Sequence, residues 1–448
     1  VLWRAPKPVR EEITPANRFE LLKQSRDLAD NSPIIDGLIE RLVTYVIGSG
    51  LHPYAASADP DWNVAANLRW RTFARRPDLR GQCDWTMLLA QVYRTELRDG
   101  DCGVVLTSDE EGRPKLATYE GLSIQSERQS LTVIPSTTEY DGVKLGSRGE
   151  PLAYRIIGQD GESAEWIDAT NFVLVYAPRR PGQVRGVPLL ASAIHTARDV
   201  QEILNLEKLA VKDASSKTDI IRTASGEVDD EQILRGDYTG QDGVQRSEYY
   251  RRVLGPEARI LAPGDEYTPY VSQRPGQTWQ GFMDFLSYTI CLAARIPPSV
   301  LLQIKVGGAD TRRDLAAAKR VFDLDQRRLT SQLTPVWHYV IASDIAAGKL
   351  TSPAEPLADP IWQVPKSITV DAGREAQQDR EDVKLGLLTL EEYWAQFGED
   401  WLDQERKNIA EMLKRKSLLA EAGLGLAEYA NLRRLEIASP KNESQSTA

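Results

Sequence analysis

The sequence predicts a mixed α+β fold, rich in helix, in which two long helices bracket a strand-and-turn insert. Three observations lead there. Residues 188–215 ("PLLASAIHTARDVQEILNLEKLAVKDAS") run with almost no helix breaker after Pro188, and about 25 helical residues would span roughly 38 Å. Residues 276–296 ("GQTWQGFMDFLSYTICLAARI") read as a second helix, apolar nearly all round apart from Gln280, Asp284, Ser287 and Arg295. Such a helix must be enclosed by protein, from its own chain or a neighbour. Residues 100–180 and 216–275 instead carry short strand patterns broken by Gly, Pro and Asp turns.

From the N-terminus, "SPIIDGLIERLVTYVIGSG" predicts a helix with Ser32 as N-cap and Pro33 at its first position, ending at Gly48 and Gly50. Ile35, Leu38, Ile39, Leu42, Val43 and Val46 repeat at helical spacing. "DWTMLLAQVYRTELRDG" predicts another helix, closed by Gly100, with "CGVVLTS" following as a strand. "FVLVYA" fits a short buried strand. A third long helix is expected from Thr311, with Asp314 completing a capping-box-like start. Leu315, Ala318, Phe322, Leu329, Leu333 and Trp337 stay close to one face, and Pro335 is expected to kink or interrupt it. Beyond the Pro-rich "TSPAEPLADP", residues from about 386 alternate charged and apolar positions as helices do, and "SPKNESQSTA" reads as a polar, disordered tail.

Composition narrows the function classes. The chain has 448 residues, 41% hydrophobic and 27% charged, enough for two or three domains with a sizeable core. No apolar run reaches the roughly 18 residues of a membrane span, and no secretory signal is expected. Cys83, Cys102 and Cys291 form no Cys-x-x-Cys pair, which suits reduced thiols and argues against zinc. His52, His195 and His338 are scattered, and a lone imidazole does neither metal nor triad chemistry. A net charge of −10 counts against a monomer that coats DNA, but not against one that lets DNA pass.

No catalytic constellation assembles. "VGGADTRR" lacks the Gly-Lys-Ser/Thr of a phosphate loop, and no Gly-x-Ser-x-Gly elbow is present. Asp99 and Asp101 in "RDGDCG" resemble a carboxylate pair but read as turn residues beside glycine. Basic clusters occur at Arg312-Arg313, Arg327-Arg328, Tyr249-Tyr250-Arg251-Arg252 and in "KRKS" at 414–417. Solvated helix faces account for them, although aromatic and Arg side chains together at 249–252 also have the composition of interface anchors.

The ordered set of segments resembles the portal proteins of tailed double-stranded DNA bacteriophages, of the lambda-like family. The resemblance runs from about residue 20 to about residue 425. It is carried by "NSPIIDGLIERLVTYVIGSGL", "RTELRDGDCGV", "RPGQVRGVPLLASAI", "ARILAPGDEYTPYVSQRPGQTWQGFMDFLSYTICLAARIPPSVLL", "DTRRDLAAAKRVFDLDQRRLTSQLTPVWHYVIASDIAAGKL" and "VDAGREAQQDREDVKLGLLTLEEYWAQFGEDWLDQERKNIAEM". "VDAGREA" and "KVGGADTRRD" depart from the usual family pattern.

The resemblance implies a non-enzymatic subunit of a ring, a dodecamer, at one capsid vertex of the virion, assembled in the host cytoplasm. A separate terminase ATPase packages double-stranded DNA through it without sequence specificity, and the DNA is later ejected the same way. It implies capsid, scaffold and head-completion partners, no membrane, and no cofactor or metal. In chain order the implied parts are a wing (1–187, resumed at 311–385), stem helices (188–215 and 276–296), an α/β clip (216–275), a tunnel loop (297–310) and a helical crown with the tail (386–448). The resemblance puts Val300, Gln303, Lys305, Val306, Gly307 and Gly308 on the tunnel loop facing DNA, and Tyr249, Tyr250, Arg251 and Arg252 at the clip's terminase interface. The alternatives are a shorter ring-forming head–tail adaptor, disfavoured by the length, and a DNA-processing enzyme, which would need acidic metal ligands or a phosphate loop.

Overall fold

A computed structural model of the chain describes residues 5–126, 139–158, 163–215, 220–222, 234–239, 245–251, 258–261, 279–301, 308–366, 372–397, 399 and 401–425. Residues 9–99 are mainly helical: α1 (Val9–Glu12), α2 (Pro15–Asn31), α3 (Pro33–Ile47), β1 (His52–Tyr54), α4 (Pro60–Ala74) and α5 (Trp85–Asp99). Short polar side chains start these helices. Thr14 accepts from Asn17 N at 3.2 Å, Asp59 from the first-turn amides of α4, and Asp84 from Met87 N at 2.8 Å. Ser32 does occupy the N-cap position of α3, but its side chain makes no capping bond. Its own N–H instead bonds Leu28 O and so closes α2, leaving the residue shared between two helix ends.

Two antiparallel sheets follow. β2 (Asp101–Ser108), β3 (Pro114–Glu120) and β8 (Phe172–Tyr176) pair in the order β3-β2-β8. β4 (Glu139–Tyr140), β5 (Val143–Leu145), β6 (Pro151–Ile157) and β7 (Ala164–Asp168) form a meander. Alternation along the first sheet serves two cores. Val104, Leu106, Val173 and Val175 face the helices, while Val105, Phe172 and Leu174 pack with Val143, Leu145, Tyr154 and Ile156 of the meander. The Asp141-Gly142 turn joins β4 to β5 with φ of 48° and 78°, the conformation a two-residue hairpin needs.

Next come α6 (Ile194–Ser215), β9 (Ile220–Arg222), β10 (Leu234–Thr239), β11 (Gln245–Arg251), β12 (Ala258–Leu261) and α7 (Trp279–Ala293). The four strands order as β10-β11-β12-β9, with β12 parallel to β9. The two long helices therefore do bracket a small sheet, but both are shorter than their sequence patterns. Residues 188–193 form tight turns, anchored by Leu189 N to Leu97 O at 3.0 Å, and α6 starts only at Ile194. α7 ends at Ala293, before Pro297 can act as the stop. Arg295 sits at φ 60°, and the bonds Ile296 N–Cys291 O and Arg295 N–Leu292 O make the paired closure of a left-handed helix end.

Pro298 then begins the one-turn helix α8 (Pro298–Leu301), and the 39-residue α9 (Gly308–Ala346) follows. The expected start at Thr311 is thus three residues late. Pro335 lies inside α9 without interrupting it. Ser331 and Pro335 are both exposed, so water reaches the carbonyl left without a donor. β13 (Ile361–Gln363) pairs with β1, and α10 (Ala372–Leu385), α11 (Leu390–Ala395) and α12 (Trp401–Glu421) end the described chain. Trp70, Trp85 and Trp337 meet edge-on and tilted, with centroids 5.1 and 5.5 Å apart, where α4, α5 and α9 converge. No described helix is long and apolar enough to cross a membrane.

A tight backbone approach joins the end of α5 to the segment leading into α6. A Cβ on Gly186 would stand 1.8 Å from Gly100 O, and one on Gly100 (φ 99°) would stand 2.7 Å from the Val187 backbone. Gly81 has a similar positive φ of 70° but open space around it. Gly186→Ala is therefore expected to cost about 4 kcal/mol or more, in the exceptional range for one substitution. Gly81→Ala should cost only about 1–2 kcal/mol of left-handed strain. Denaturant midpoints of the two variants check this, and equal losses would refute it.

Candidate functional site

Below the Gly100–Gly186 contact lies a buried lattice of charges that the local sequence does not announce. Asp99 and Asp101, expected to be turn residues, are both fully buried. The Arg185 side chain is fully buried and uses all five donors. Two go to Asp101 at 2.7 and 2.9 Å, and the others to the carbonyls of Ile124 (2.8 Å), Asp141 (2.6 Å) and Gly121 (2.8 Å). Gly186 N adds a bond to Asp101 at 2.8 Å. Burial opposes ionisation of Asp101, but Arg185 and Arg18 hold its carboxyl below the ordinary range. Arg18 also pairs with Asp141. Asp99 receives Arg26 and, at 2.8 Å, Arg98, while Glu120 bridges the same two guanidiniums at 2.8 and 2.7 Å. Asp99 and Asp101 are buried and saturated by guanidinium, and are in no position to ligate a metal or move a proton. Among the described residues no group of His, Cys, Asp and Glu could hold a metal ion.

The residues expected on the channel loop divide. Val300 lies in α8 and is only 6% exposed, in the same core as Ile296, Leu301 and Leu333. One turn of helix started by Pro298 carries it inward, which removes it from the loop surface. Gly308 is the first residue of α9 rather than part of the loop. Gln303, Lys305, Val306 and Gly307 lie outside the described residues. On either side of them Ser299 Oγ donates to Asp314 at 2.6 Å, tying α8 to α9. Asp314, read as a capping residue, therefore has another task.

At the expected partner-binding segment, Tyr249, Tyr250 and Arg251 occupy β11, between β10 and β12, with Tyr249 opposite Arg235 and Tyr250 opposite both Leu234 and Arg259. Arg252 lies outside the described residues.

The helical basic clusters also separate. Arg328 is mostly buried and clamps three elements, donating to Glu96 on α5 at 3.0 Å, to Asp325 at 3.3 Å and to Tyr176 O at the end of β8 at 3.1 Å. Arg327 beside it is exposed. The two faces of one helix give adjacent arginines opposite fates.

Both bracketing helices expose large apolar side chains, as do the helices from α10 to α12. On α7, Met283, Leu286, Ile290 and Cys291 turn inward, while Phe282 (50% exposed), Phe285 (65%), Tyr288 (42%) and Leu292 (74%) form a stripe outward. On α6, Leu206 and Leu209 are 56% and 60% exposed. The chain covers one side of its most apolar helix and leaves the other open. A separate cleft of about 460 Å³ lies between α4 and the start of α12, lined by His52, Tyr54, Trp70 and Glu399 and crossed by Arg71–Asp403 at 2.5 Å. Its lining mixes both signs of charge.

Comparison with known proteins follows this geometry. The profile of a family described as phage portal protein, lambda family, matches residues 2–303. No curated protein sequence matches the chain. Among solved structures, a chain from the virion of a native gene transfer agent particle is 13% identical with a TM-score of 0.45, over 83% of this chain and 89% of that one. A chain from the neck of the empty particle, computed with C6 symmetry, is 14% identical with a TM-score of 0.47, over 82% and 89%. One from the neck of the native particle, computed with C12 symmetry, is 15% identical with a TM-score of 0.46, over 87% and 94%.

The Arg328 clamp has a pH signature. Burial pushes Glu96 up to about 7 despite Arg328 at 2.9 Å, with Asp325 adding to the rise. A carboxyl whose folded pKa lies above its unfolded one stabilises fully below the unfolded value, and that contribution fades as pH climbs through the folded value. Relative to wild type, Glu96→Gln should therefore gain stability steadily between about pH 4.5 and 7, whatever its constant offset. Parallel pH–stability curves would refute the assignment.

Proposed function

The chain belongs to the lambda family of phage portal proteins, and from that premise we propose that copies of it close into a ring, twelve in number, at one vertex of a phage capsid. Double-stranded DNA is driven in through the axial channel by a separate terminase and leaves by the same route. The subunit has no catalytic activity of its own. α6 and α7 are its stem, the sheet β10-β11-β12-β9 its clip, the helices and sheets up to β8 together with α9 and α10 its wing, and α11 and α12 its crown. Terminase and then head-completion proteins dock on the clip through Tyr249, Tyr250, Arg251 and Arg252. Gln303, Lys305, Val306 and Gly307 make the loop that DNA passes. Capsid and scaffold proteins surround the ring.

The observation that carries this reading is the outward stripe Phe282, Phe285, Tyr288 and Leu292. Four large apolar side chains in line on one helix are costly to leave in water, at about 1.5–3 kcal/mol each for full burial of such a side chain. A head-to-tail ring covers every copy of the stripe with the next subunit and leaves no open end. The buried saturated ion pairs agree with a scaffold rather than a reactive centre. An acidic total of −10 agrees with a conduit that does not hold on to phosphates.

Phe285→Asp with Leu292→Asp should leave the subunit folded, because both side chains are exposed, and reduce the particle to monomers. Mass measurement in solution with circular dichroism reads both properties. A wild-type chain that is monomeric at every concentration would refute the ring.

A further inference from the structure

The long helix α9 has an exposed face that the ring reading leaves unused. From Arg312 to Arg327 the exposed residues are Arg312, Arg313, Ala316, Ala317, Lys319, Arg320, Leu324 and Arg327, so every exposed ionised group on this stretch is a cation. The acids of the same stretch are turned away or engaged. Asp314 takes Ser299 and Arg313, Asp325 takes Tyr93 and Arg328, and Asp323 is half-buried. Arg313 is partly neutralised by Asp310 at 3.4 Å. Lys319, Arg320 and Arg327 make no ion pair among the described residues. In a chain with ten more acids than bases, a helix face with this composition is a local reversal of sign.

We infer that this face of α9, centred on Lys319, Arg320 and Arg327, is a contact surface for the phosphate backbone of duplex DNA, separate from the loop at 302–307. The cations fall in rungs seven or eight residues apart, two helical turns, so they stay on one side of α9. Each rung is about 11 Å from the next, and the whole face is about 22 Å long. The rung spacing is close to the roughly 12 Å width of the major groove, which lets successive rungs reach phosphates on its two walls. Ala316 and Ala317 between the rungs leave the cation heads as the groups that project furthest. A protein partner would ask for something else: interface centres are depleted in charge and rich in aromatic and apolar anchors, and Leu324 is the one large apolar side chain exposed on this stretch. Contacts of this kind engage the passing DNA backbone reversibly and carry no sequence information. The inference rests on the portal reading only in taking DNA as the polyanion that reaches the subunit.

The test uses the full chain in the form it takes in solution, with a short fluorescent duplex of random sequence as probe, and measures affinity from about 50 to 200 mM salt. Each phosphate contact contributes about 0.9 to the slope of log affinity against log salt. Lys319→Ala with Arg320→Ala and Arg327→Ala should therefore lower the slope by about 2.7. The same loss of charge from the C-terminal helices, by Lys384→Ala, Lys414→Ala and Lys416→Ala, should leave it as in wild type. In the unaltered chain, duplex should also protect Lys319 from amine acetylation, which needs no variant to fold. An unchanged slope in the first variant, an equal drop in the control, or an unprotected Lys319 would overturn the assignment. Loss of ring assembly confined to the first variant, with duplex affinity insensitive to salt, would identify the face as a contact between copies and overturn it too. A monomeric wild type would defeat the ring reading alone, because the salt slope is read on whichever species forms.

Discussion

Arg185 is buried with all five donors engaged, and Asp101 is the charge that makes its burial tolerable. Removing one partner of such a pair leaves an uncompensated buried ion, a loss of about 3–5 kcal/mol. The pair is less a source of stability than of position. Its bonds reach β2, the turn at Gly121, the carbonyl of Ile124 and the β4–β5 hairpin, and Arg18 brings in α2. The same segment passes Gly100 at a distance only two glycines allow, and three residues later Leu189 bonds the end of α5. α6 therefore starts in a direction set by a charge lattice and a backbone contact.

The base of α7 is held by a different force. Ile290, Cys291, Ala294, Ile296, Val300 and Leu301 belong to the same apolar core as α3, α5 and the second half of α9. Apolar burial is non-directional, so direction at this junction comes from the left-handed closure at Arg295 and from Ser299–Asp314. The two junctions and the shared core together fix where α6 and α7 leave the body of the subunit. That arrangement suits a ring, where an error in the angle of one helix would repeat at every interface.

Charge is divided along the chain in the same spirit. Adjacent arginines take opposite roles because 100° of helical rotation separates them: Arg328 ties α9 to α5 and β8, while Arg327 faces solvent. Arg98 and Arg26 are consumed with Asp99 and Glu120. The cations that remain exposed on α9 are those that internal architecture did not need.

The sequence by itself determined what is local. Helical spacing from Ile35 to Val46, the closure at Gly100, the strands "CGVVLTS" and "FVLVYA", and the pair of long helices around a small sheet were all legible, because they depend on neighbours within a few residues. The order of those segments was also enough to recognise the family. Only the tertiary structure decided which groups meet across long separations. Asp101 and Arg185 are 84 residues apart, and nothing near either one distinguishes a buried ion pair from a polar turn. The family resemblance places Val300 on a loop, and only the core beside α8 shows that it turns inward. Burial and ion pairing are properties of the space a side chain enters, and that space is made by parts of the chain its neighbours in sequence do not contain.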